Sequence, residues 1–275
     1  MDNGEPLEDA AGLYGPALFT GYLLDFAARH KDEPFFIYYP MALTHAPFMP
    51  TPDSAGWAVD RHRADVSNFG DMVEYMDKLI GTILDGLEEL GLQEDTLVMF
   101  IGDNGSPREV TSLLGDRAFQ GGKGHSIDAG TRVPFIAQWG GRAAGTVCDD
   151  LIDCSDFLPT MLEVAGVTHP GDVPCDGCSF RPQLVGDEGS PREWIYQWHN
   201  PLPGWGKEGF ELEEWAQDKS YKLYSDGRFY DVEEDDLETT RIEPKTKEQT
   251  EGLQKLRSVL GHYREQQGPG ERKPC

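Results

Sequence analysis

Two short apolar runs, PFFIYYP (34–40) and TLVMFIG (96–102), are separated by a long stretch whose apolar residues recur every three or four positions. From Ser67 to Leu90 the series Met72, Met76, Ile80, Ile83, Leu87 and Leu90 predicts an amphipathic helix, with acidic residues on its outer side and Gly91 as its stop. Each flanking run reads as a buried strand, the first ending near Pro40. Strand, loop, helix, strand is the order of a parallel sheet covered by helices, because parallel neighbours need a crossover connection.

The rest of the chain extends that pattern and then changes it. GPALFTGYLLDFAARH (15–30) has helical spacing, whereas MALTHAPFMPTPDS, with Pro47, Pro50 and Pro52, reads as loop. VPFIAQW (133–139) is a third buried strand, and Asp156 to Ala165 a further helix. After about Pro182 the runs WIYQWH, SYKLYS and GRFYDV alternate apolar with polar, the last two joined across Asp226-Gly227, a hairpin signal. A small antiparallel sheet is expected there, closed by a helix over Gln249 to Gln266 and followed by a frayed GPGERKPC end. The fold expected is therefore α/β: a core over 1–185 with a mostly parallel sheet flanked by helices, and an α+β subdomain over 186–275.

Charge removes two classes of partner. Against 24 basic residues stand 49 acidic ones, a formal net charge of −25, which repels nucleic acid and anionic membrane surfaces. The dense patch Asp231 to Glu238 reads as a solvated face. No run approaches the roughly 18 apolar residues of a membrane span, and MDNGEPLEDA lacks the basic and apolar regions of an export leader. Five cysteines are an odd count in a chain too large for a disulfide scaffold. Cys175 and Cys178 sit in a Pro/Gly-rich loop, as loop thiols or a local disulfide rather than a redox pair or metal knuckle.

In an open parallel sheet, ligands bind beyond the carboxyl ends of the strands. Thr44 and His45 follow the first expected strand there, and Asp103 and Asn104 the second. A carboxylate and an amide carbonyl are hard oxygen donors suited to Ca²⁺ or Mg²⁺. Asn-Gly is equally a hairpin turn, although no alternating strand follows at Ser106 to Glu109. Gly121, Gly122 and Gly124 surround Lys123 and suit close approach to an anion, or a flexible loop. The pattern is not a P-loop, since its lysine precedes a strand. His45 alone reads as a site residue or as a hydrogen-bonded loop histidine. Trp198 and Trp205, near His199, suit core packing or stacking on a sugar.

Taken in order, PFFIYYPMALTHAPF, the long helix, TLVMFIGDNG, GGKG with GTRVPFIAQW, DFLPTMLEVAGV and KLYSDGRFYDVEEDDLE resemble the later part of a type I sulfatase, from about Leu18 to Leu237. The resemblance implies the alkaline-phosphatase-like α/β fold and hydrolysis of sulfate esters, aryl or carbohydrate. It implies that Asp103 and Asn104 ligate a divalent cation, usually Ca²⁺, with Mg²⁺ as the alternative. It implies that Lys123 contacts the sulfate, and that His45 hydrogen-bonds the sulfate or assists the leaving oxygen. Such chemistry needs negative oxygens neutralised and a proton supplied as the alcohol leaves. His125 is read as a bystander. The same groups would serve a phosphodiester or phosphonate hydrolase, and a third reading is a noncatalytic sugar- or anion-binding homologue.

The family's nucleophile is a formylglycine made within Cys/Ser-x-Pro-x-Arg, and that signature does not occur in these 275 residues. Its paired aspartates after the first strand are not matched either, because Asp149-Asp150 lies well downstream and reads as a surface turn. The expectation is a truncated chain, inactive alone, whose relatives suggest a periplasmic or secreted location. Loss of leading strands would expose apolar edges and favour self-association.

Overall fold

The computed structural model describes residues 12–143, 145–201 and 211–266, together with residues 4, 5, 7 and 209. Helices α1 (Gly15–Arg29), α2 (Trp57–Asp60) and α3 (Asn68–Glu89) precede strand β1 (Leu97–Ile101). Then come β2 (Thr111–Leu114), β3 (Arg117–Gln120), α4 (Asp128–Thr131), β4 (Phe135–Trp139), α5 (Phe157–Val164) and α6 (Arg181–Leu184). The C-terminal part holds β5 (Ile195–His199), β6 (Glu213–Gln217), β7 (Tyr221–Tyr224), β8 (Phe229–Asp231) and α7 (Lys247–Gln266). The class is α/β with a small antiparallel sheet and a closing helix, and no described helix is long and apolar enough to cross a membrane. Two compact units divide these elements: residues 1–98 with 138–141, and 99–137 with 142–275.

In the first unit α1 packs against α3. Leu24 fills the space beside Gly86, where an added Cβ would lie 2.6 Å from its Cδ2. Met72, Tyr75, Leu79 and Leu87 form the buried face of α3, close to the face expected from the sequence. Gly91, at φ +72°, stops the helix. Its amide donates to Glu88 O at 2.9 Å and the Leu92 amide to Leu87 O at 2.9 Å, the paired bonds of a Schellman end.

The run at 34–40 departs from expectation. No strand forms there among the described residues, and burial alternates instead of continuing, with Phe36 69% and Tyr38 80% exposed. Apolar composition alone does not make a buried strand. A ladder needs a hydrogen-bonded neighbour on at least one side, and this run joins none of the sheets described.

β1 and β4 pair as a two-stranded sheet. β2 and β3 form a hairpin that the sequence did not announce, with Thr111 opposite Gln120 and Leu114 opposite Arg117. Gly115, at φ +61°, occupies its two-residue turn, a conformation glycine adopts without a Cβ penalty.

The C-terminal sheet has the order β5-β6-β7-β8, antiparallel throughout. One of its faces buries Ala216, Tyr221, Leu223 and Phe229 against Leu256, Val259 and Leu260 of α7. The opposite face carries Trp215, Tyr224, Tyr230 and Val232. Both faces of β7 are therefore buried, and Lys222, which alternation placed toward solvent, is wholly inside.

A second polar centre holds the start of α5. Asp156 accepts from the amide of Asp153 at 2.8 Å, the amide of Cys178 at 2.6 Å and Arg192 Nε at 2.8 Å. Phe135, Phe157 and Phe180 meet edge-on nearby, with ring centroids 5.3 to 5.4 Å apart. Cys148, Cys154, Cys175 and Cys178 are free and exposed. Asp150 accepts from Lys219 Nζ at 3.2 Å. Trp198 is 46% exposed, whereas Trp205 and Cys275 lie outside the described residues.

Candidate functional site

At the end of β1 the Gly102 amide donates to Pro134 O at 3.1 Å, and the chain then turns through Asp103 and Asn104. Four backbone bonds fasten the segment from Gly105 to Val110, the glycine loop and α4 to one another. Gly105 N donates to Gly130 O at 2.9 Å, Lys123 N to Ser106 O at 3.0 Å, Gly122 N to Ala129 O at 3.1 Å and Gly121 N to Val110 O at 2.9 Å. The glycines are needed because main chains cross here almost in contact. A Cβ at 105 would stand 1.9 Å from Ala129 O, and one at 130 would stand 2.2 Å from His125 O. One at 121 would stand 2.3 Å from both Ser106 O and Pro107 O. Backbone cannot yield as a side-chain tip can, so each position excludes a larger residue. Asn104-Gly105 is accordingly no hairpin turn: its glycine has no positive φ, and the hairpin forms later, at Gly115.

Asp103, Asn104 and Lys123 are thus brought into one backbone knot within the second unit. Asp103 is exposed, while Asn104 and Lys123 are half-buried. Among the described residues none of these three side chains has a hydrogen-bond or ion-pair partner within the protein. His45 belongs to the first unit and is exposed, with Nδ1 2.6 Å from Ala46 O. A carbonyl only accepts, so this contact puts a proton on Nδ1 and leaves Nε2 as the acceptor of the neutral ring.

The fit to a hard cation is right in kind and short in number. Asp103 and Asn104 offer uncommitted oxygens, but Ca²⁺ takes about six to eight. No cluster of three or more His, Cys, Asp or Glu capable of holding a metal occurs among the described residues.

What fixes the lysine loop from behind is a buried ion network that sequence patterning did not reveal. Lys222, 0% exposed, donates to Glu238 Oε1 at 2.7 Å and also to Ser126 O. Tyr224 OH donates to Glu238 Oε2 at 2.6 Å and lies 2.8 Å from Ser126 Oγ. The ammonium also stands 4.7 Å from the Trp215 ring centre and 5.1 Å from that of Tyr224. Burial pushes the Lys222 ammonium below its ordinary range, with Glu238 acting against it; burial and then Glu238 push the Tyr224 phenol up. The sequence trace of this arrangement is a lysine two positions before an aromatic residue, Lys222 and Tyr224 in YKLY.

Beside the same loop lies a cavity of about 490 Å³, whose wall includes Gly121, Gly122, His125, Arg108, Arg117 and Arg228. Arg117 is engaged by Asp236, with one bond at 3.1 Å and a second, shorter one. Arg228 is held by Glu213 at 2.7 Å and Asp226 at 2.7 Å. The Arg117 guanidinium keeps the Asp236 carboxyl below its ordinary range. Burial would raise Glu213, but hydrogen bonds from Ser126 and Arg228 outweigh it and hold that carboxyl low.

Comparison with known proteins agrees with this architecture. The sulfatase family model matches residues 8–167, and the model for the C-terminal region of N-sulphoglucosamine sulphohydrolase matches residues 122–266. Human arylsulfatase A is 35% identical over 170 residues, covering 62% of this chain and 32% of the relative. The chain thus spans about a third of the length of the curated relatives it matches. Among solved structures, Ps i-CgsB in complex with k-i-k-neocarrahexaose superposes with a TM-score of 0.73 at 18% identity, covering 95% of this chain and 56% of the other. BT4656, in complex with its substrate D-glucosamine-2-N,6-O-disulfate, superposes with a TM-score of 0.60 at 24% identity, covering 75% of this chain and 42% of the other.

Proposed function

This chain belongs to the sulfatase family, and on that premise we propose that it forms part of a site that binds and hydrolyses sulfate esters of carbohydrates or other small molecules. The observation that carries the reading is the bond from the Lys123 amide to Ser106 O. It joins the lysine loop to the Asp103-Asn104 turn, while all three side chains stay uncommitted. In this reading Asp103 and Asn104 supply two oxygens to Ca²⁺, or to Mg²⁺, and further donors complete the shell. The cation withdraws charge from the sulfate oxygens when bound. Lys123 neutralises the remaining oxygen charge, and its half-buried position strengthens that attraction over its value in open water. His45 orients the ester or delivers a proton to the departing alcohol from Nε2 once that nitrogen is protonated. β1 and β4 are assigned to the mostly parallel sheet of an alkaline-phosphatase-like fold.

A second reading has its own support. The formylglycine signature is missing from these 275 residues, which favours a chain that by itself binds sulfated ligands without turnover. Calorimetric titration of Ca²⁺ into the chain and into Asp103→Ala, with an aryl sulfate turnover assay beside it, separates the possibilities. Binding that vanishes in Asp103→Ala supports the cation assignment. Unchanged binding overturns it, and turnover by wild type overturns the binding-only reading. Exposed Phe36 and Tyr38 support self-association through apolar surface, which a monodisperse monomer in sedimentation would exclude.

A further inference from the structure

Among the described residues, one guanidinium in the wall of the cavity beside the lysine loop has no acid of its own. Arg117 is matched by Asp236 and Arg228 by Glu213 and Asp226, while Glu238 in the wall is matched by buried Lys222. Arg108 is exposed and, among the described residues, forms no ion pair with an acid; its Nη1 lies 3.5 Å from His125 Nε2. A guanidinium can only donate, so that contact uses His125 as an acceptor and leaves the other donors of the fork available. Net charge near −25 disfavours anions at long range, yet screening over about 8 Å at physiological salt confines that repulsion. Among the described residues these groups balance in number, because Arg228 is shared by two carboxylates, and Arg108 is the member with no acid of its own.

Placement gives this cation a use. Gly121, Gly122 and His125 line the cavity, and Lys123 belongs to the same loop. The Lys123 amide is bonded to Ser106 O, two residues before Arg108, so the two cations stand on segments fastened to one another, within the span of one saccharide in this reading. We propose that the cavity is a second anion subsite, in which Arg108 grips a further sulfate or carboxylate on the same saccharide, so that the preferred ligands carry at least two anionic groups. The inference rests on the sulfate-ester reading and narrows its substrate class. The wall supplies aromatic as well as charged surface: Phe119 beneath the Arg117 guanidinium at 5.2 Å, and Tyr230. Such rings suit the apolar face of a sugar.

The test is binding calorimetry on the whole chain in Ca²⁺-containing buffer. Three probes are compared: N-acetylglucosamine 6-sulfate, glucosamine 2-N,6-O-disulfate, and the 6-sulfate linked to glucuronate. Wild type is expected to bind one or both doubly charged probes about tenfold more tightly than the monosulfate, the size of one charged hydrogen-bonded contact. A preference for the disulfate identifies sulfate as the second group, and a preference for the glucuronide identifies carboxylate. Arg108→Gln is expected to erase that preference while leaving monosulfate affinity unchanged, and Lys123→Ala to weaken all three probes. Equal affinity of wild type for the three, or a preference that survives in Arg108→Gln, overturns the subsite. Monosulfate binding that persists in Lys123→Ala overturns the underlying sulfate reading instead, and a wild type that binds no probe overturns both.

Discussion

Two groups of charged residues in the second unit differ in how completely the protein uses them. Around Lys222 the charged groups are matched: the ammonium meets Glu238, Ser126 and two aromatic rings, and Glu238 also meets Tyr224. At Asp103, Asn104 and Lys123 the backbone is held as tightly, but the side chains have no internal partner among the described residues. Spent charges stabilise the fold, and unspent ones on a rigid backbone are available to a ligand. A buried ion that loses its partner costs several kcal/mol, whereas a half-exposed one is solvated at little cost.

The sharpest way to break this contrast is to remove one member of the buried pair. Lys222→Met leaves the Glu238 carboxylate without its cation and is expected to lower unfolding free energy by about 3–5 kcal/mol in urea titration. Pairing it with Glu238→Leu should recover much of the loss, because two apolar replacements leave no orphaned charge. A Lys222→Met chain as stable as wild type would show that the network contributes nothing.

Next in size is Gly105→Ala, whose new methyl would meet Ala129 O. About 1–3 kcal/mol of destabilisation is expected, together with weakened Ca²⁺ binding, since the clash displaces the backbone beside Asn104. A variant that melts like wild type would mean that the crossing tolerates a side chain.

Asp103→Ala and Lys123→Ala should shift stability by no more than about 0.5 kcal/mol while changing ligand binding. Large destabilisation by either would move that residue into the structural class and erase the contrast.

The smallest effect is expected at Asp236, which Arg117 holds below its ordinary carboxyl pKa of 3.8. For a group with a depressed folded pKa the contribution is complete above the unfolded value and is lost as pH falls through the folded one. Wild type should therefore exceed Asp236→Asn by less than about 1 kcal/mol near pH 6, and the two should converge as pH falls well below 3.8. Thermal melts across that range would show a constant gap if the pair did not titrate.

Helices were the most legible part of the chain. The repeat from Met72 to Leu87 gave α3, with Gly91 at its end, because a three-and-four apolar spacing has one good burial solution. The hairpin at Asp226-Gly227 was equally plain. Pairing was less so: 34–40 looked like a buried strand, yet whether an apolar run joins a sheet depends on a neighbour remote in sequence. Strand β6, with Trp215, and the hairpin β2-β3 are illegible for the same reason. In the candidate site the residue types of Asp103, Asn104 and Lys123 could be read directly, but not why glycines surround them. That cause is contact between segments near 105, 121 and 130. Lys222 and Arg192 were illegible because nothing local tells a buried, paired cation from a solvated one.

The bond between Ser106 O and the Lys123 amide also bears on how a ligand would be selected. Two loops fixed to one another by main-chain bonds lose their independent motion once, during folding, so a ligand touching both need not immobilise them separately. A cation at Asp103 and an anion at Lys123 would then meet an assembly already rigid, and the occupancy of one would alter the electrostatic potential felt by the other without either loop having to travel.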